Sequence, residues 1–106
     1  MTEENKIQEL QMLEQNLQNL LMQKQAFQIE LSETNAALGE VEKTSDDVFK
    51  IIGQLMIKTD KTKMQDELKE KQKILNMRTD SLEKQEKGLT EQAEKLREEV
   101  MKGMKK

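Results

Sequence analysis

The 106-residue chain has no cysteine, histidine, proline, tryptophan or tyrosine, and only four glycines. Each absence removes a class of explanation. Without cysteine there is neither a disulfide nor a thiolate zinc site. Without histidine there is no imidazole metal ligand and no histidine general base. Without proline, and with so little glycine, long helices can run unbroken. Phe27 and Phe49 are the only aromatics, too few for the core of an ordinary globular domain of this length. No glycine-rich phosphate loop is present. The sequence therefore predicts no catalytic residue, no metal and no cofactor, and its many carboxylates read as solvated helix faces rather than an acid/base pair. Residues 1–6 lack the basic and apolar regions of a secretion signal, and no apolar run is long enough to span a bilayer. A cytoplasmic protein without membrane contact is expected.

What the chain does contain is charge and periodic leucine. It is 37% charged and 34% hydrophobic. Leu68, Leu75, Leu82, Leu89 and Leu96 recur every seven residues. Upstream, Leu10, Leu13, Leu17, Leu20, Phe27, Leu31, Leu38 and Val41 keep a 3,4 spacing, with Lys24 and Thr34 filling its two gaps. A heptad repeat gives a helix one narrow apolar seam that must be buried against another helix, and such regularity argues against disorder. One helix is expected over about 4–46 and a second over about 62–104. Lys24, on the seam, is the kind of polar residue that sets register at some cost in stability. The outward glutamines of the first helix, Gln8, Gln11, Gln15, Gln18, Gln23, Gln25 and Gln28, fit a solvated face better than a prion-like tract, because leucines interleave them. Thr62-Lys63-Met64-Gln65 matches a capping box, which would put Asp66 and Glu67 in the first turn of the second helix. Its seam is thin. The positions beside the leucines are Lys71, Arg78, Gln85 and Gln92 in one alternative, or Gln72, Thr79, Glu86 and Ala93 in the other.

Charge distribution favours a chain that folds back on itself. The net charge of −3 argues against a general nucleic-acid binder. Residues 1–47 sum to −7, and residues 48–61 and 62–106 to +2 each. The first helix thus pairs better with the second than with its own copy, although exposed ion pairs contribute only a few tenths of a kcal/mol each. Pairing residues whose numbers sum to 106 sets Leu10 against Leu96, Leu17 against Leu89, Leu31 against Leu75 and Leu38 against Leu68, and leaves Lys24 opposite Leu82. That register requires a bend at Gly53.

The bend falls inside a short apolar island, Val48 to Ile57. Val48, Ile51, Ile52, Leu55 and Met56 fit a helical stripe, but the same segment fits two short strands around Gly53-Gln54. Glycine at the first of two loop residues is the type II′ hairpin choice, and the short β-branched run favours strands, so a hairpin over about 48–59 is expected. Val48, Ile52, Leu55 and Ile57 would share one face, and Phe49, Ile51 and Met56 the other. A lone two-stranded hairpin is marginal, and open apolar edges invite more strands. The island should join strands from other chains. In the plainer alternative it caps the coiled coil and packs on its own helices.

The layout of long helix, single central hairpin and long helix resembles a prefoldin subunit of the β type. The segment Asp47-Val48-Phe49-Lys50-Ile51-Ile52-Gly53-Gln54-Leu55-Met56-Ile57-Lys58 is similar to that family's V-(Y/F)-K-(I/L)-(I/V/L)-G-x-(L/V)-(L/M)-(I/V)-K pattern. Leu82-Glu83-Lys84-Gln85-Glu86 resembles its second-helix L-x-x-Q-x pattern. The hairpin segment is moderately specific, whereas the helices are generic coiled coil. The resemblance implies one prefoldin-like subunit over residues 1–106, mainly α, built as an antiparallel two-helix coiled-coil hairpin. Its central β-hairpin would join an oligomeric β-barrel platform. It further implies a hexamer with α-type subunits and further β-type copies, acting as an ATP-independent holdase that passes unfolded clients from its coiled-coil tips to a group II chaperonin.

On that reading the oligomerisation hairpin comprises Val48, Phe49, Ile51, Ile52, Gly53, Leu55, Met56 and Ile57. Apolar residues depart from the strict seam near the two chain ends, with Ile7 and Met12 beside Leu10 and Leu13 on one helix, and Val100, Met101 and Met104 on the other. Methionine is flexible and polarizable, suited to contact with varied apolar partners. These seven are the expected client-binding residues. They could instead be frayed coiled-coil ends, with Met12 as ordinary core. The competing function is a coiled-coil adaptor or scaffold that binds a folded partner through one helix face and needs no exposed β-edge.

Overall fold

A computed structural model describes residues 2–104, with the side chain of Met104 excluded. The order of elements is α1 (Glu3–Lys43), β1 (Val48–Ile52), β2 (Leu55–Thr59) and α2 (Lys61–Met104). The monomer is an α-helical hairpin interrupted by a short β-hairpin. It divides into two compact units. Unit 1 joins the chain up to Ala26 with the chain from Thr79 onward, and unit 2 is Phe27–Arg78.

Each helix boundary has a local cause. Thr2 caps α1: its hydroxyl accepts the Asn5 N–H at 3.2 Å, and its carbonyl accepts that of Lys6 at 3.1 Å. Glu3 and Glu4 then lie in the first turn, where the helix dipole favours negative charge. The expected end near residue 46 is too late. Thr44 Oγ1 takes the Asp46 N–H at 3.2 Å, a local bond that competes with helical continuation. The Lys61 ammonium then donates to the carbonyls of Glu42 at 3.2 Å and Thr44 at 2.9 Å, satisfying the otherwise unpaired end of α1.

The start of α2 also differs from the capping-box expectation. Asp60 is the cap: its carboxylate accepts the Thr62 N–H at 3.4 Å, and its carbonyl accepts that of Met64 at 2.9 Å. Thr62 is therefore already inside the helix, and no acidic residue lies in the first turn. Aspartate one residue before the helix supplies the negative charge that a cap at Thr62 would have left to Asp66 and Glu67.

The seam follows the heptads. On α1, Leu10, Leu13, Leu17, Leu20, Phe27, Leu31, Leu38 and Val41 are all half-buried, and Thr34 is buried with its hydroxyl donating to the Glu30 carbonyl at 2.8 Å. On α2, Leu75, Leu82, Ala93, Leu96 and Val100 are buried. This burial decides between the two alternatives left by the sequence. Gln72, Thr79, Glu86 and Ala93 line the seam, whereas Lys71, Arg78, Gln85 and Gln92 are exposed.

Polar residues in and beside the seam find partners on the facing helix. In unit 2, Gln72 Nε2 donates to Asn35 Oδ1 at 2.6 Å, and the Arg78 guanidinium lies 5.9 Å from the Phe27 ring centroid. In unit 1, Lys24 reaches Glu83 and Glu86 at 3.5 Å each. Further ion pairs link Lys6 with Glu99, Arg97 with Glu14 and Lys71 with Glu30. These partners fall on both sides of the predicted 106 register, within about a helical turn and a half of it. The bridges run in both directions, from α1 bases to α2 acids and the reverse, so local geometry rather than the net charge of each helix selects them. Their exposure limits them to about 0.2–1 kcal/mol each.

Candidate assembly and client-binding surfaces

The hairpin of unit 2 pairs Val48 with Thr59, Phe49 with Lys58, Lys50 with Ile57, Ile51 with Met56 and Ile52 with Leu55. Gly53 has φ of 60°, and among the described residues no other has positive φ. A positive first loop residue followed by a negative second is the type II′ signature, and glycine alone occupies the first position without penalty. Directly paired residues share a face. Val48, Ile52, Leu55 and Ile57 therefore lie together, with Lys50 and Thr59, while Phe49, Ile51 and Met56 lie on the reverse with Lys58.

Both faces are open. Phe49, Ile51, Ile52, Leu55, Met56 and Ile57 expose between 45% and 69% of their surface, and Val48 is half-buried. Charges at the base orient the hairpin without covering it. Lys50 meets Glu67 of α2 at 3.0 Å, and Lys58 meets Asp47 at 3.4 Å. The two edges carry unpaired backbone donors and acceptors suited to further strands.

The predicted client-binding residues fall in unit 1, where they divide. Met12 and Met101 are 67% and 54% exposed, and Ile7 is 38% exposed. Leu10 and Leu13 are half-buried seam residues. Leu13 and Leu96 line a groove of about 170 Å³ whose other walls are the polar Glu9, Gln92, Lys95 and Glu99. Val100 is 7% exposed. It lies one heptad after Ala93, so the register that buries Ala93 buries Val100 too, against the expectation that it departs from the seam. The Met104 side chain lies outside the described residues. Near the chain ends, Glu3 packs so closely on Gly103 that an added Cβ there would collide with its carboxylate.

Three features escaped the sequence reading: the Asp60 cap, the Thr2 cap and the Lys61 clamp. Asp60 and Thr2 carried a visible signal, a capping side chain just before each helix. Lys61 carried none, because its partners are backbone carbonyls across the hairpin base. Among the described residues, no group of three or more acidic, histidine or cysteine side chains could hold a metal ion, and no helix is long and apolar enough to cross a membrane.

Comparison with known proteins matches this architecture. A family model described as prefoldin subunit covers residues 4–106. The chain is 42% identical over 94 residues to prefoldin subunit beta of Thermococcus onnurineus, covering 87% of this chain and 81% of the relative. It is 35% identical over 103 residues to prefoldin subunit beta of Methanosarcina acetivorans, covering 95% and 88%. The crystal structure of the prefoldin beta subunit from Thermococcus strain KS-1 superposes with a TM-score of 0.88 at 37% identity, covering 95% of this chain and 90% of that one. Prefoldin β subunits are non-catalytic, ATP-independent chaperones that deliver unfolded proteins to group II chaperonins. By family match, sequence identity and fold, the chain belongs to the prefoldin family as a β subunit.

Proposed function

We propose that this chain carries out the family's holdase activity through two separate surfaces. The hairpin is the assembly element: its apolar faces and open edges join those of α-type subunits and further β-type copies in a hexameric β-barrel platform. Ile7, Met12 and Met101 form the client-binding surface, supported from the seam by Leu10, Leu13 and Val100, with Met104 as a further candidate. The particle works in the cytoplasm and hands its clients to a group II chaperonin without nucleotide.

The observation that carries this reading is the exposure of six large apolar side chains on both faces of one ten-residue hairpin segment. Burying that much apolar surface at about 25 cal/mol per Å² gives assembly its driving force. An adaptor that used one helix face would leave the same hairpin uncovered, which disfavours that alternative.

The test is to purify the chain with an α-type partner, weigh the particle, and measure suppression of aggregation of an unfolded protein without ATP. Changing Ile7, Met12 and Met101 to Asn should spare particle mass and lose most of the suppression. Deleting about residues 1–13 and 98–106 should do the same. Full protection by either variant would remove the client-binding assignment. A chain that stays monomeric beside its partner would remove the platform.

A further inference from the structure

Unit 1 has a second surface whose composition suits unfolded polypeptide. Between residues 10 and 26, α1 carries two charged side chains in seventeen positions, Glu14 and Lys24. The stretch of α2 that matches it in the fold-back register, residues 80–96, carries eight. Both α1 charges are engaged with α2: Arg97 donates to Glu14 at 3.1 Å, and Lys24 is held by Glu83 and Glu86. What faces outward is a stripe of Gln11, Gln15, Gln18, Met22 and Gln25, again at 4,3 spacing and opposite the seam. Met22 is 66% exposed. Among the described residues, Gln15 donates to Asn19 at 3.4 Å, while the side-chain amides of Gln11, Gln18 and Gln25 have no protein partner.

We propose that this stripe is a further client-holding surface, and that its occupant is an uncharged segment of unfolded polypeptide. An unfolded chain presents unpaired backbone N–H and C=O groups together with apolar side chains. Each glutamine amide both donates and accepts, so it matches the backbone whatever the client's sequence. Met22 adapts to whichever apolar side chain lies on it. No ion loses its hydration when an apolar segment lies down there, whereas the charged α2 face would impose that cost repeatedly. Residues 11–25 span about 22 Å of helix, enough to lie along six or seven extended residues at about 3.3 Å each. Met12 adjoins Gln15 one helical turn away, so the stripe continues into the proposed client-binding surface. The inference rests on the holdase reading but not on which terminal residues carry it.

The test uses the complete complex with its α-type partner, and reduced, urea-unfolded lysozyme as probe. A photocrosslinking residue replaces Gln18 or Gln25, and replaces Lys84 or Glu91 as controls on the exposed side of α2. Crosslinks to lysozyme are expected from the first pair and not from the second. The triple changes Q18E/M22E/Q25E and Q18K/M22K/Q25K should both release lysozyme about fivefold faster in about 0.3 M salt, which screens long-range attraction, with particle mass and thermal unfolding unchanged. Crosslinks confined to a photocrosslinker at Met12 would overturn the proposal, as would unchanged release from both triple variants. Opposite effects of the two signs would overturn it too, because simple charge attraction would explain them. Crosslinks between two copies of this chain would reassign the stripe to a contact between subunits. An unaltered complex that fails to hold lysozyme removes the holdase reading and this inference together. A complex that holds it, with triple variants that hold it equally, removes this inference alone.

Discussion

The helix seam and the β-hairpin draw on the same aliphatic residues and treat them oppositely. On α2, Leu75, Leu82 and Leu96 are buried. In the hairpin, Ile51, Leu55 and Met56 each expose about two-thirds of their surface. A heptad seam is satisfied inside the chain, because folding back supplies the partner helix at the right register. A two-stranded sheet cannot satisfy itself: each strand has one free edge, and both faces of this one are apolar. Burial therefore separates the residues that stabilise the monomer from the residues it leaves exposed, which are the ones proposed for assembly.

Charging the hairpin should sharpen that separation most. Ile51→Asp with Ile57→Asp puts a carboxylate on each face, since Ile51 pairs with Met56 and Ile57 with Lys50 on the reverse. Assembly with the α-type partner should weaken on the order of a thousandfold, read as loss of the large particle by light scattering. Helix content by circular dichroism should stay near that of the parent. Loss of both signals together would show that the hairpin also holds the monomer.

The seam should give the reverse pattern. Leu82→Ala removes a buried leucine and should cost about 2–4 kcal/mol in urea unfolding, while the folded fraction still assembles. Stability within about 0.5 kcal/mol of the parent would mean that the seam is not the monomer's core. Gly53→Ala is smaller and local. With φ at 60°, a Cβ there should cost about 1–2 kcal/mol of hairpin stability, seen as weaker assembly with unchanged urea unfolding of the helices.

Lys24→Met tests the one charged break in the α1 seam. Removing a half-buried lysine with two partly exposed carboxylate partners should change stability by no more than about 1 kcal/mol in either direction. What it should loosen is register. Spin-label distances between the arms of unit 1 should broaden from one population toward several. A sharp, unchanged distance would show that the leucines set register without Lys24.

Much of the fold was legible in the heptads. Their 3,4 spacing identified each α1 seam residue, including Lys24 and Thr34, because burial along a helix follows periodicity alone. Gly53 and the β-branched residues around it marked the turn and its type, because only glycine tolerates that backbone angle. The apolar hairpin faces were equally readable, since strand residues alternate.

Tertiary structure decided what depends on the second helix. Gln72, Thr79, Glu86 and Ala93 had no better claim to the α2 seam than Lys71, Arg78, Gln85 and Gln92 until α1 was laid against them, because a one-residue rotation separates the two sets. Val100 moved from surface to seam for the same reason. The Lys61 clamp and the Lys24 bridges join groups far apart in sequence, so no local pattern announces them. The sequence by itself determined which residues are sticky and at what period. Only the folded chain decided which of them find a partner within it, because burial is a property of pairs of surfaces rather than of either one.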